Sequence, residues 1–263
     1  MKTKTLLSLV TIALLIFGVA CQKAPEAPEA EEGPAPEAVP AATIDPATAA
    51  TITGKVSFQG TPPRARRIRM DTEPACAKVH KEPVRSEEVV VNANGTLRHV
   101  FVYVKEGLGG VSFPTHTEPV VLDQQGCVYI PHVVGIQARQ ELHILNSDDT
   151  THNIHPVPRN NREWNTSMPP GAEKLVRSFP REEIMVPIKC NVHPWMKTYV
   201  GVVKHPFFAA TGADGTFQIK GLPPGDYVLA AWHEKYGTAE QNVSLAAKEI
   251  KTVEFVFPGA GGD

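Results

Sequence analysis

Phe217-Gln218-Ile219, with Asp214-Gly215 before it and Pro223-Pro224-Gly225 after it, sets the pattern for the chain. It is a short run rich in β-branched and aromatic residues, closed at both ends by residues that suit turns. The same unit recurs outward from it at Lys55–Phe58, Val89–Asn92, His99–Val104, Val120–Leu122, Gln140–Leu145 and Thr252–Phe257. Gly, Pro, Asn and Asp separate these runs, as at Asn94-Gly95. No stretch carries a convincing 3.6-residue apolar period; Leu245–Lys251 is a weak exception, read as a turn before the last strand. The spacing predicts an all-β fold built from sandwiches or barrels, without internal repeats.

The chain has 263 residues, 42% hydrophobic and 21% charged, as in ordinary globular proteins. Its 24 prolines exceed the roughly 13 expected at about 5% usage. The net charge of −2 is unevenly spread: residues 1–20 carry +2, residues 21–50 carry −5, and the rest +1. A near-neutral body without a Lys/Arg block gives no reason to expect nucleic acid as a partner.

Met1–Thr5 is a short basic region, and the apolar run Leu6–Phe17 is too short to span a bilayer, so residues 1–20 read as an export signal. Gly18-Val19-Ala20-Cys21 resembles a bacterial lipoprotein signal, which implies that Cys21 is lipidated and becomes the mature N-terminus. Residues 21–50 then form a linker rich in Pro, Glu and Ala, with no aromatic residue to bury. The expectation is an exported protein, lipid-anchored to a bacterial membrane and facing the periplasm or the cell exterior.

The chemistry gathers in two stretches. Cys190-Asn191-Val192-His193-Pro194-Trp195-Met196 places a thiolate, an imidazole and a thioether three residues apart each time. One tight loop can turn all three onto a single ion. Soft sulfur ligands with a borderline imidazole select copper over magnesium, calcium or manganese, and two His plus Cys with a weak axial Met make a blue-copper site. The second stretch, Asn146–His155, supplies a distant His-Asn pair at His152-Asn153.

The loop Cys190–Met196 resembles the ligand loop of cupredoxins, with the short spacing of amicyanin. Val128-Tyr129-Ile130-Pro131, Ile136–Leu142 and Thr151–His155 are similar to the plastocyanin and amicyanin strands that carry the first His ligand. Carried over by position, the resemblance implies one type 1 copper held by His152, Cys190, His193 and axial Met196. It also implies that Asn153 ties the two ligand loops and that His193 is an electron port opening on a flat apolar surface. Trp195 belongs either to such a docking patch or to the packing beneath the loop. His155, three residues beyond His152, faces the other side of a strand. His80, His99, His116, His132, His143, His205 and His233 are read as structural or solvent-facing.

With Cys21 lipidated and Cys190 on copper, Cys76 and Cys127 remain, and in an oxidising compartment leftover thiols pair as a disulfide. The rival is a second metal site from Cys76, His80, Cys127 and His132. Thr53–Pro63 and Asp214–His233 resemble the opening strand and the later hairpin of a carboxypeptidase-regulatory-like (transthyretin-like) sandwich. The expected layout is therefore a Greek-key cupredoxin sandwich at 89–204, set into a smaller sandwich made of 51–88 and 205–258, with a tail at 259–263. The rival layout is one elongated sandwich with extra strands.

The function implied is a membrane-tethered, non-enzymatic copper protein that carries single electrons between redox partners such as a cytochrome c, an oxidase or a dehydrogenase. A copper carrier or sequestering protein is the first alternative; it calls for open Met and His clusters, and only five Met occur. A non-catalytic β-sandwich scaffold is the second. Haem attachment lacks Cys-x-x-Cys-His, and hydrolase chemistry lacks a nucleophile–base signature.

Overall fold

The computed structural model describes residues 41–259. The export signal, Cys21 and most of the linker and tail expected above lie outside the described residues. Among the described residues, no helix is long and apolar enough to cross a membrane.

The chain runs through β1 (Ala50–Gln59), α1 (Pro74–Lys78), β2 (Phe101–Glu106), β3 (Val120–Gln124), β4 (Tyr129–Ile130), β5 (Val133–Gln137), β6 (Leu142–Asn146), β7 (His152–Pro156) and β8 (Thr166–Met168). It continues through β9 (Leu175–Arg177), β10 (Glu183–Lys189), β11 (Lys197–Val203), β12 (Phe208–Ala210), β13 (Thr216–Leu222), β14 (Gly225–His233), β15 (Gly237–Leu245) and β16 (Ile250–Pro258). The architecture is all-β. Within Leu245–Lys251 the turn is confined to residues 246–249, between β15 and β16, where Glu249 accepts the Ala246 N–H. Val89–Asn92 forms only a bridge, Val91 to Leu97.

Among the described residues, four sheets make two sandwiches. In the flanking sandwich, β13-β1-β16 packs on β12-β2-β14-β15 over Ile52, Val56, Leu229, Val243 and Phe255. In the central sandwich, β5-β11-β10-β7-β8 packs on β4-β3-β6-β9 over Leu122, Ile136, Ile144, Ile154, Ile188 and Val202. The flanking sandwich is built from both sides of the central one in sequence, with β1 and β2 before it and β12 to β16 after it.

Strand β2 corrects the expected boundary at residue 89. It pairs with β12 and β14, Val102 opposite Ala231 and Phe101 opposite Trp232, so it belongs to the flanking sandwich. The reason is that β2 is apolar on both faces. Val102 and Val104 enter the flanking core, while Phe101 and Tyr103 enter a third cluster with Val133, Met185, Val203 and Ala230. That cluster seats one sandwich on the other. Close approach there requires glycine: a Cβ at Gly201 would stand 2.6 Å from the Phe101 ring, and one at Gly135 2.4 Å from Phe208. Strand β11 alternates in the same sense, with Val200 and Val202 turned to the central core and Val203 to the shared cluster.

Candidate metal centre

Three loops and the short helix α1 meet at one end of the central sandwich. The β6–β7 loop is closed by Asn146, whose Nδ2 donates to the carbonyls of Thr150 and Met168 at 3.0 and 2.8 Å. This brings Asp148 and, at the first residue of β7, His152 to the sandwich end. The β10–β11 loop is a tight turn: the Cys190 N–H donates to the Met196 carbonyl at 3.2 Å, and the Met196 N–H to the His193 carbonyl at 2.9 Å. Asn153 ties the two loops, its Oδ1 accepting from the Asn191 and Val192 N–H groups at 2.6 and 3.3 Å and lying 3.4 Å from Cys190 Sγ.

The structure brings His152, Cys190 and His193 together, their ligand atoms all within 4.8 Å of one another. The two Nδ1 atoms face each other at 2.9 Å, and Cys190 Sγ is 3.8 Å from that of His193. All three residues are buried, and Met196 is buried in the same cluster as Cys190.

Partners on the outside of the cluster aim the rings. His152 Nε2 donates to Asp148 Oδ2 at 2.9 Å, which leaves the Nδ1 lone pair directed inward. Asp148 is itself held by the successive N–H groups of Gly126 and Cys127, at 2.6 and 2.7 Å, from two left-handed residues whose amides form a small anion nest. His193 Nε2 faces Cys76 Sγ at 3.6 Å, so its Nδ1 also points inward.

The electrostatics follow from these contacts. Burial is the largest single influence on His152 and opposes its charge, but the hydrogen bonds and charges of Asp148 and Cys190 together outweigh it and raise the imidazole above its ordinary value. Burial, then the neighbouring His152, holds His193 low. Burial also opposes ionisation of Cys190, but His152 and the amides around the sulfur outweigh it and lower the thiol. Two inward lone pairs and an ionisation-prone thiol, closed off from water, are a donor set suited to a soft or borderline cation.

The exposed His193 that the resemblance implies is not found. Its residue surface is 0% exposed. The 41 residues between β1 and β2 include α1, which carries Cys76 over the ring, and Cys76 is bonded to Cys127 by a disulfide. Trp195 is half-buried, donates from Nε1 to the Cys127 carbonyl at 2.9 Å and packs 5.2 Å from the His193 ring. It braces the loop against the disulfide turn. The exposed apolar side chains of the Cys190–Met196 loop are Val192, at 48%, and Pro194.

The rival set of Cys76, His80, Cys127 and His132 is not assembled. His80 bonds the Gly126 carbonyl at 2.7 Å, and His132 pairs with Glu234. His155 points away from the cluster, to Asn191 and Glu163. Sequence reading missed Asp148, Glu73 and the Tyr129 hydroxyl that donates to the Asn153 carbonyl. The spacing of Asp148 to His152, four residues, was the one available signal, and five acidic and hydroxyl residues, Ser147 to Thr151, crowd that loop.

Residues 200–258, a little over a fifth of the chain, match the carboxypeptidase regulatory-like domain family. No curated protein matches the chain. Among solved structures, a copper(I) amicyanin variant is 19% identical over 32% of this chain and 81% of its own, with a TM-score of 0.29. A purple cupredoxin from Nitrosopumilus maritimus is 19% identical over 32% of this chain and 98% of its own, with a TM-score of 0.27. The copper-containing nitrite reductase from Thermus scotoductus SA-01 is 18% identical over 34% of this chain, with a TM-score of 0.31. This chain spans 23% of that reductase's length. The donor set, not these partial overlaps, carries the functional conclusion.

Proposed function

We propose that the chain is a type 1 copper protein of cupredoxin kind that carries single electrons between redox partners outside the cytoplasm, tethered to a membrane through Cys21. The observation that supports this most is the buried convergence of His152, Cys190 and His193, with two inward imidazole lone pairs beside one thiol. His152, Cys190 and His193 would hold the metal and Met196 would stand as the weak axial partner. When bound, copper supplies a one-electron couple. The protein's part is to keep the donors from rearranging: Asp148 fixes the ring of His152, Asn153 locks the two loops, and the disulfide turn and Trp195 keep water from His193. No substrate bond is made or broken in this role. The disulfide supports an oxidising compartment.

The test is the visible spectrum of the full chain after addition of Cu(II). One copper per chain with an intense thiolate charge-transfer band is expected. A Cu(II) adduct without that band would reject the proposal.

A further inference from the structure

The Cys76–Cys127 disulfide lies against the edge of His193 that the copper site leaves unused. His193 turns Nδ1 to His152 and Cys190, and Nε2 to Cys76 Sγ. The two sulfurs and a His193 ring nitrogen lie within 4.8 Å of one another, all from buried residues. Glu73 Oε2 stands 3.9 Å from the same Nε2, on the solvent side. A tetrahedral ion with bonds of about 2.0 Å to nitrogen and about 2.3 Å to sulfur needs a nitrogen–sulfur separation near 3.5 Å. Cys76 Sγ is already 3.6 Å from Nε2.

The frame under each sulfur does not depend on the bond between them. The Cys127 N–H is held by Asp148 at 2.7 Å, and its carbonyl by Trp195 at 2.9 Å. Just beyond α1, His80 bonds the Gly126 carbonyl at 2.7 Å and pins the helix to the same turn. Opening the bridge therefore leaves two thiols beside Nε2.

We propose that Cys76 and Cys127, once reduced, form with His193 Nε2 and Glu73 a second site, for a thiolate-seeking ion such as Zn²⁺ or Cu(I). A dithiol reductant breaks the S–S bond, delivering two electrons and two protons, and leaves as its own disulfide. Metal binding then releases the thiol protons to water. A neutral imidazole has one free lone pair, so an ion on Nε2 takes His193 away from the Cys190 side. The bridge thus decides which of two sites owns His193. The identity of the first site rests on the copper proposal; the second does not.

The test uses the full chain carrying Cys190→Ser, so that failure of the copper reading and failure of this one are separable. Co²⁺ is the probe, since its thiolate charge-transfer and tetrahedral bands are visible and it survives a phosphine reductant. The oxidised protein should show no such bands. The phosphine-reduced protein should bind one Co²⁺ per chain with both bands, and the added change Cys76→Ala/Cys127→Ala should remove them. His193→Gln should weaken Co²⁺ binding by about tenfold or more. Absence of the bands after reduction overturns the proposal, as does unchanged affinity in His193→Gln, the mark of loose thiols. Loss of far-UV circular dichroism on reduction also overturns it, because the frame must outlast the bond.

Discussion

The two sandwiches bury histidines in opposite ways. In the central one, His152 donates to a carboxylate, Asp148, and presents its other nitrogen to Cys190 and His193. In the flanking one, His205 and His233 each accept a backbone N–H at Nδ1, from Phe207 and Lys235. Burial pushes both of the latter down to about 4. The difference teaches that burial alone does not make an imidazole a ligand. The partner decides: a carboxylate on the far nitrogen leaves a lone pair directed into the cluster, whereas an amide donor consumes it.

The largest expected effect breaks the comparison on the central side. Cys190→Ser should abolish the Cu(II) charge-transfer band outright, read by absorbance, because a hydroxyl is harder and stays protonated. Phe101→Ala strikes the contact between the sandwiches and should cost about 3–5 kcal/mol in chemical denaturation, the usual loss for a buried Phe, while folded protein keeps its spectrum. A loss below about 1 kcal/mol would mean that the shared cluster is not a packed core.

Acid should sharpen the contrast on the flanking side. Unfolded histidines take up a proton near pH 6.5, whereas folded His205 and His233 do so only near 4. Between those values the unfolded state binds more protons, so stability falls as pH drops. The loss from pH 7 to pH 5 should be about 2 kcal/mol for each histidine, checked by urea titrations at both pH values. His205→Gln or His233→Gln should flatten part of that slope. The smallest effect is Asp148→Asn, which keeps a hydrogen-bonding group on His152 but removes the charge. Copper affinity should fall by about tenfold in chelator competition, with the colour retained. Unchanged affinity would demote Asp148 to a loop support.

Much of this was legible because it is local. Cys190, His193 and Met196 fall within seven residues, and the strands at Lys55–Phe58, Val120–Leu122 and Phe217–Ile219 are bracketed by Gly, Pro and Asp. What was not legible is non-local. Cys76 meets His193 across 117 positions, and no property of Pro74–Lys78 foretells that it lies on that imidazole. The strand expected at His99–Val104 is found at Phe101–Glu106, but a run apolar on both faces does not say which sheet it joins. That choice was made by Phe101, which needs the bare backbones of Gly135 and Gly201 to lie against.

The same strand bears on how such a protein can be cut and recombined. A piece excised between Gly107 and Phe207 would carry away Val133, Met185 and Val203 as a naked greasy face, with two glycine furrows left by the Phe101 and Phe208 rings. The remainder would keep Phe101 and Tyr103 with nothing to lie on. Neither half is a plug-in module. An engineer who wants the metal loops alone must first repaint the floor of β5 and β11 with polar side chains, and a recombining genome would have faced the same toll.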